Sequence, residues 1–262
     1  MSFYRIKAIL LQEYYITRNS LELLIDLFFF SVMSIIVFGY VSEFLSGSVN
    51  FVTAYYLFLG IMLWEIIRIS QYSMSVGALW NIWSRNLSNM FITPLSLKEF
   101  IVSQMISATA RTLLMFILVS FMATIIFNFN ILSIGIVNLL LGFVNLLIFA
   151  WTIGIVILGL IFRYGTRIQA LAWGLIFLFQ PLTAAFFPVT ILPEFLQIVA
   201  YTIPATYVFE AARNGLTDPS INWNFAGIAF LQNIIYFSLS LWFFNIMFRK
   251  SKDTGQFARM EG

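Results

Sequence analysis

Residues 131–162, ILSIGIVNLLLGFVNLLIFAWTIGIVILGLIF, contain no Asp, Glu, Lys or Arg. A helix rising about 1.5 Å per residue needs roughly 20 apolar residues to cross a hydrocarbon core about 30 Å thick, and this stretch exceeds that length. Working outward from it, five more stretches qualify, at 23–41, 51–71, 100–127, 168–187 and 225–248. The third and fourth stretches meet at Asn128-Phe129-Asn130, which suits a tight hairpin on one side of a membrane. The expected fold class is an all-α integral membrane protein with six transmembrane helices in one domain, 1–262.

Composition agrees. Of 262 residues 61% are hydrophobic and 10% charged, against about 45–50% and about 25% in a soluble domain. With 14 Lys+Arg and 11 Asp+Glu, no charged exterior large enough for a water-soluble protein of this length is available. The pI near 9.2 does not point to nucleic acid, because the basic residues sit singly between apolar runs. The chain has no Cys and no His, so thiolate nucleophiles, imidazole bases and Cys/His metal sites are excluded. The first apolar run follows about twenty mixed residues without a small-residue cleavage pattern and reads as a retained helix.

Positive residues near helix ends are retained in the cytoplasm. Arg5, Lys7 and Arg18 precede the first span, Arg85 and Lys98 follow the second, Arg163 and Arg167 join the fourth to the fifth, and Arg249, Lys250, Lys252 and Arg259 follow the sixth. In a six-span chain all of these segments share one side. The opposite segments carry Glu43, Glu194, Glu210 and Asp218, with Arg213 as their cation. Both termini are therefore expected in the cytoplasm.

Three segments do not read as spans. In residues 1–19, Phe3, Ile6, Leu10, Tyr14 and Ile16 alternate at helical spacing with Arg5, Lys7, Gln12 and Glu13. That pattern gives an amphipathic helix in the cytoplasmic interface, the alternative being an extension of the first span. Residues 80–95 place Trp80, Trp83, Leu87, Met90 and Phe91 at helical spacing among Asn81, Ser84, Arg85, Asn86 and Ser88, and Pro94 should end that helix. It reads as a short cytoplasmic helix, or as a membrane-surface connector without a partner. Residues 188–215 are broken by Pro188, Pro193 and Pro204 into pieces too short to cross, which fits an outer re-entrant helical hairpin or an ordinary outer loop. Within it Glu210 and Arg213, at i and i+3, can pair on one helix face.

Four charges fall inside spans: Asp26, Glu65, Arg68 and Arg111. They sum to zero, and Arg111 is expected within reach of Glu65, so one compensated network near the cytoplasmic entrance is expected, serving either transport or the register of the bundle. The 30 Phe, 11 Tyr and 7 Trp serve packing and interfacial belts, or line a path for amphiphilic cargo. Gly135, Gly142, Gly154 and Gly159 allow close helix contact in the fourth span.

Taken in this order, the interfacial start, the run Trp83-Ser84-Arg85-Asn86-Leu87 leading to Thr93-Pro94-Leu95, and the stretch from Phe187-Pro188-Val189 through Leu192-Pro193 to Pro204-Ala205-Thr206-Tyr207 resemble the type-2 ABC exporter permeases. Those are the membrane subunits paired with ATP-binding-cassette ATPases in drug, lipid-linked polysaccharide and related export systems. The resemblance covers nearly the whole chain. It implies that 80–95 is a coupling helix docking into the ATPase through Trp80, Trp83, Arg85, Asn86, Leu87, Phe91, Thr93, Pro94 and Leu95. It implies that Pro188, Pro193, Pro204, Tyr207, Glu210 and Arg213 belong to an outer gate. It further implies a homodimer or a pair with a related permease, two ATPase copies that bring ATP and Mg, a prokaryotic inner membrane, and outward transport of a drug or lipid. The chain has no Gly-x-x-x-x-Gly-Lys-Ser/Thr loop, so ATP hydrolysis of that kind falls to a partner and no cofactor is expected here. A permease for a lipid-linked polysaccharide and a gradient-driven transporter stand as the alternatives.

Overall fold

The computed structural model describes residues 1–48, 51–218 and 220–254, without the side chains at 48, 51–53, 87, 88 and 91. The coupling expectations on the side chains of Leu87 and Phe91, and the basic Arg259, lie outside the described residues. Among the described residues the architecture is all-helical, with no strand. The helices are α1 (Phe3–Asn19), α2 (Leu21–Ser48), α3 (Phe51–Trp83), α4 (Leu87–Ile92), α5 (Leu97–Phe127), α6 (Ile136–Tyr164), α7 (Ala170–Leu182), α8 (Glu194–Ala200), α9 (Pro204–Thr217) and α10 (Trp223–Asp253). Four described helices, α2, α5, α6 and α10, are long and apolar enough to cross a membrane. The chain is thus compatible with a multi-pass membrane protein.

The two remaining expected spans, α3 and α7, are built differently. α3 is 33 residues long and carries Glu65, Arg68, Gln71 and several serines. It tolerates them because it is the central pillar: from Phe58 to Ile82 almost every side chain is buried against α2, α5 and α6. α7 covers 13 residues, about 20 Å of rise, where 168–187 was expected. Pro181 offers no amide to the helix, and the chain turns at Thr183 before Ala184 adopts φ 50°. α6 begins at Ile136, not at 131, because residues Ile131–Ile134 form a 3-10 turn that ends at Gly135, φ 87°. α2 and α3 extend past the expected ends at 41 and 71.

Side-chain contacts fix which helix ends lie together. The Ser2 amide donates to Glu99, the Phe100 ring lies 5.8 Å from Phe162, and Phe162 lies 6.0 Å from Phe248. Residues near both ends of the described chain therefore meet at one end of the bundle, beside Lys98, Arg163 and Lys250. At the other end Phe129 packs on Phe58, and Asn138 donates to the Ser220 carbonyl at 3.3 Å. The expected tight turn sits there: Asn128 adopts φ 51°, a conformation Asn accepts more readily than most residues, and Asn130 caps the 3-10 turn through the Leu132 amide.

α6 and α10 pack in the same direction, with Asn233 donating to Asn145 near one end and Ser251 donating to the Phe162 carbonyl near the other. Gly154 and Gly159 lie against Met74 and Phe244, close helix contacts of the kind expected of this span. One glycine outside α6 is under a sharper constraint. A Cβ on Gly60 of α3 would stand 2.0 Å from the Ala185 carbonyl oxygen, a backbone atom in the turn after α7. Gly60→Ala is expected to destabilise the protein by about 1–3 kcal/mol, the range for overpacking. Gly174→Ala on α7, where nothing lies within 4 Å, is the control and should leave thermal unfolding in detergent unchanged.

Candidate functional site

Three groups of polar side chains stand out against the apolar bundle. The first ties α1 to α5. Arg111 donates to the Glu13 carboxylate at 2.8 Å and to Thr17 at 2.6 Å, and Gln104 donates to the other Glu13 oxygen at 2.9 Å. Glu13 is 2% exposed. Arg5 and the Ser2 amide hold Glu99, which also closes a capping box with Ser96 at the start of α5. Contacts step forward together along both helices, from Arg5 with Glu99 to Thr17 with Arg111, so α1 and α5 run the same way.

This corrects two expectations. Arg111 does not join Glu65; its carboxylate partner is Glu13, which the sequence pattern had put on a solvated face. The polar residues Gln12 and Glu13 face protein, while Phe3, Tyr4, Lys7, Leu11, Tyr14, Tyr15 and Arg18 are exposed. α1 therefore buries Ile9 and Glu13 on one side and turns both aromatic and basic residues outward. An apolar run beside a charged one reveals amphipathicity, but not which side has protein to bury against.

The second group is the segment between α3 and α5. Its expected single helix, 80–95, is divided. Trp80 and Trp83 belong to the last turn of α3, with ring centroids 5.5 Å apart, and Trp83 stacks on Trp173 of α7 at 6.2 Å. α3 then ends in a Schellman turn: the Asn86 amide reaches the Asn81 carbonyl and the Arg85 amide the Ile82 carbonyl, each at 2.9 Å. Arg85 takes φ 53° at the position glycine usually holds. α4 follows as six residues, with Asn86 at its start, Thr93 donating to the Met90 carbonyl, and Leu95 turning back onto the core. Trp83, Ser84, Arg85, Ile92, Thr93 and Pro94 form an exposed platform at this end of the bundle. α1 braces both flanks of the platform: Gln12 donates to Asn81 at 2.9 Å, and Arg5 donates to the Pro94 carbonyl.

The third group lies between α2, α3 and α7. Arg68 grips Glu65 through Nε at 3.1 Å and donates to Ser31 of α2 at 2.7 Å. The Tyr72 hydroxyl donates to Asp26. Of the four charges expected in one network, the structure therefore brings Asp26, Glu65 and Arg68 to one cavity of about 370 Å³ and sends Arg111 to the opposite face of α2.

At the far end of the bundle each expected proline begins an element. Pro188 precedes the 3-10 turn Val189–Ile191, Pro193 precedes α8, and Pro204 is the first residue of α9, where a missing amide costs least. Glu210 and Arg213 pair at 2.8 Å. Glu210 also accepts the Val189 amide at 2.8 Å, and Arg213 donates to the Ala185 carbonyl, so the pair fastens α9 to the turn after α7. Tyr207 packs between Tyr201 and Phe225. Among the described residues no group of three or more His, Cys, Asp or Glu is placed to hold a metal ion.

Comparison with known proteins finds no family model that matches the chain and no curated protein that matches it.

The Glu13 pair yields a direct test. Arg111→Ala strands a buried carboxylate and should lower stability by about 3–5 kcal/mol, whereas Glu13→Gln combined with Arg111→Gln removes both charges and should recover much of that loss. Thermal unfolding of the wild type, Glu13→Gln, Arg111→Gln and the double variant in one detergent gives the coupling.

Proposed function

We propose that the chain is the membrane-spanning permease subunit of an ABC exporter, as the resemblance of its sequence implies. In this reading α3 and α7 join the four long apolar helices to make six crossings, α7 with the help of the turns on either side of it. The basic end of the bundle faces the cytoplasm of a prokaryotic cell, and both termini lie there. The permease works as a homodimer or with a related permease and is driven by two ATPase copies that bind ATP and Mg. The translocation path runs at the permease interface, and the cargo is a hydrophobic or amphiphilic drug or lipid.

The observation that carries this reading is the braced platform. α4 is too short to fold by itself, yet it is held by the ends of the buried α3 and of α5, and α1 bonds to both flanks. A push on Arg85 or Ile92 from a bound partner passes directly into α3, the central pillar, and through Arg5, Glu13 and Arg111 into α5. That is the mechanical requirement for turning ATP-driven movement of a separate subunit into rearrangement of a transport path. The exposed Trp83 and Arg85 supply the residue types that dominate binding energy at protein interfaces.

The second reading, a gradient-driven transporter, draws on one feature: Asp26 and Glu65 on the wall of one cavity between α2, α3 and α7, since carboxylates within a membrane bundle can carry protons. Energy source separates the two. The first expects transport that needs an ABC ATPase and is stopped by vanadate, and the second expects transport stopped by a protonophore.

Arg85→Gly is the informative variant for the platform. Glycine relieves the left-handed backbone at that position while deleting the cation, so folding and thermal stability should hold or improve. Affinity for the partner ABC ATPase that this reading requires should fall by about tenfold or more, as for loss of an interfacial hot spot. Copurification of Arg85→Gly at the wild-type level would remove the platform from the ATPase interface.

A further inference from the structure

The cavity between α2, α3 and α7 has a chemical character of its own. Its volume of about 370 Å³ lies in the range that holds small organic ligands, about 300–1,000 Å³. The walls are aromatic, with Phe30 from α2, Trp64 and Tyr72 from α3, and Trp173 and Phe177 from α7. The charges lining it are two carboxylates and one guanidinium. Arg68 is matched to Glu65 by three hydrogen bonds from Nε and Nη2. Asp26 is met by the Tyr72 hydroxyl, a neutral donor, so among the described residues the cavity carries one carboxylate with no cation paired to it. Glu22, one turn earlier on α2, adds to the negative side and not to its compensation.

Among the described residues, two buried polar atoms of residues that line the cavity lack hydrogen-bond partners. Gln71, 1% exposed, gives its amide hydrogens to Ser75 and to the Ala172 carbonyl, which leaves its Oε1 acceptor buried and unbonded. Trp64, 2% exposed, has a buried Nε1 donor that is also unbonded. An unmet acceptor and an unmet donor in the wall of one cavity are expensive in a closed apolar core.

We infer that this cavity binds a monovalent organic cation with an aromatic body. The positive centre lies toward Asp26, where it meets a carboxylate and the faces of Trp and Tyr rings together. The aromatic body fills the space between Trp64, Trp173 and Phe177. An anion of the same shape meets Asp26 with like charge and is rejected. The binding site stands on the cavity alone; that the bound cation is also the exported cargo rests on the permease reading. The inference narrows that cargo from amphiphiles in general to those bearing a positive charge.

Tetraphenylphosphonium and tetraphenylborate share shape and aromatic area and differ in the sign of their charge. Binding of each to the full-length chain, purified alone in a neutral detergent without ATP or ATPase, is followed by equilibrium dialysis. Saturable phosphonium binding at least about tenfold tighter than borate binding is expected, a difference of about 1.4 kcal/mol. Asp26→Asn should abolish that preference, Asp26→Glu should retain it, and Trp173→Leu should weaken phosphonium binding without favouring the borate. Equal binding of the two ions, non-saturable uptake of both, or an unchanged preference in Asp26→Asn overturns the inference. If Asp26→Asn does not fold, the comparison of the two ions on the unmodified chain and on Trp173→Leu decides it. A positive result with no ATPase partner found keeps the site and removes the export reading. A negative result with ATPase copurification intact does the reverse.

Discussion

Glu13 of α1 and Arg111 of α5 are opposite charges buried together among apolar helices, each also hydrogen-bonded by a neutral neighbour. Removing two ions from water is repaid only by close mutual contact and by satisfying the remaining donors and acceptors, and that requirement dictates how α1 sits. The side that carries Glu13, with Ile9 and Ile16, must face α5 and α3, which turns Phe3, Tyr4, Leu11, Tyr14 and Tyr15 outward. A helix with this outward face is at home against lipid and its headgroups, not against water. The same rule recurs throughout the bundle. The buried interior holds Glu65, Gln71, Asn145 and Asn233, while exposed positions on α2, α5 and α10 carry Phe29, Phe121 and Trp242.

From that pair a continuous set of contacts leads to the end of the bundle. Gln12 and Arg5, on the helix the pair holds in place, reach the two flanks of the α3 to α5 segment. α3 continues from there through the centre of the protein to Gly60, where the turn after α7 lies against it, and Arg213 fastens that turn to α9. The platform at one end and the proline-initiated helices at the other are thus joined by one buried helix. A permease needs such a path if a partner at one end is to govern an opening at the other, and the aromatic, net-negative cavity lies beside α3 along the way.

Much of this was legible in the sequence. Long apolar runs marked α2, α5, α6 and α10, the Asn-Phe-Asn turn marked a hairpin, and the spacing of Glu210 and Arg213 anticipated their pairing. The misjudged features share a cause: each depends on partners distant in the chain. Glu13 looks solvated until Arg111, 98 residues on, is brought against it. The tryptophans at 80 and 83 fit either a separate helix or the end of α3. What decides is a Schellman turn with Arg85 where glycine would have marked the stop. The end of α7 was hidden because the apolar run continues to Phe187 past Pro181, and hydropathy does not register a missing amide.

The claim on which the rest turns is that α1 is packed against the bundle by the side that carries Gln12 and Glu13 and is not a separate surface helix. The chain has no cysteine, so a pair can be placed at will. Gln12→Cys with Asn81→Cys, whose native side chains meet at 2.9 Å, should be joined nearly completely by a short bifunctional thiol reagent in native membranes. Tyr14→Cys with Asn81→Cys, with residue 14 on the outward face, should remain unjoined. Absence of the first cross-link, or equal yield for the two pairs, would contradict the placement of α1 and with it the route from the platform into α5.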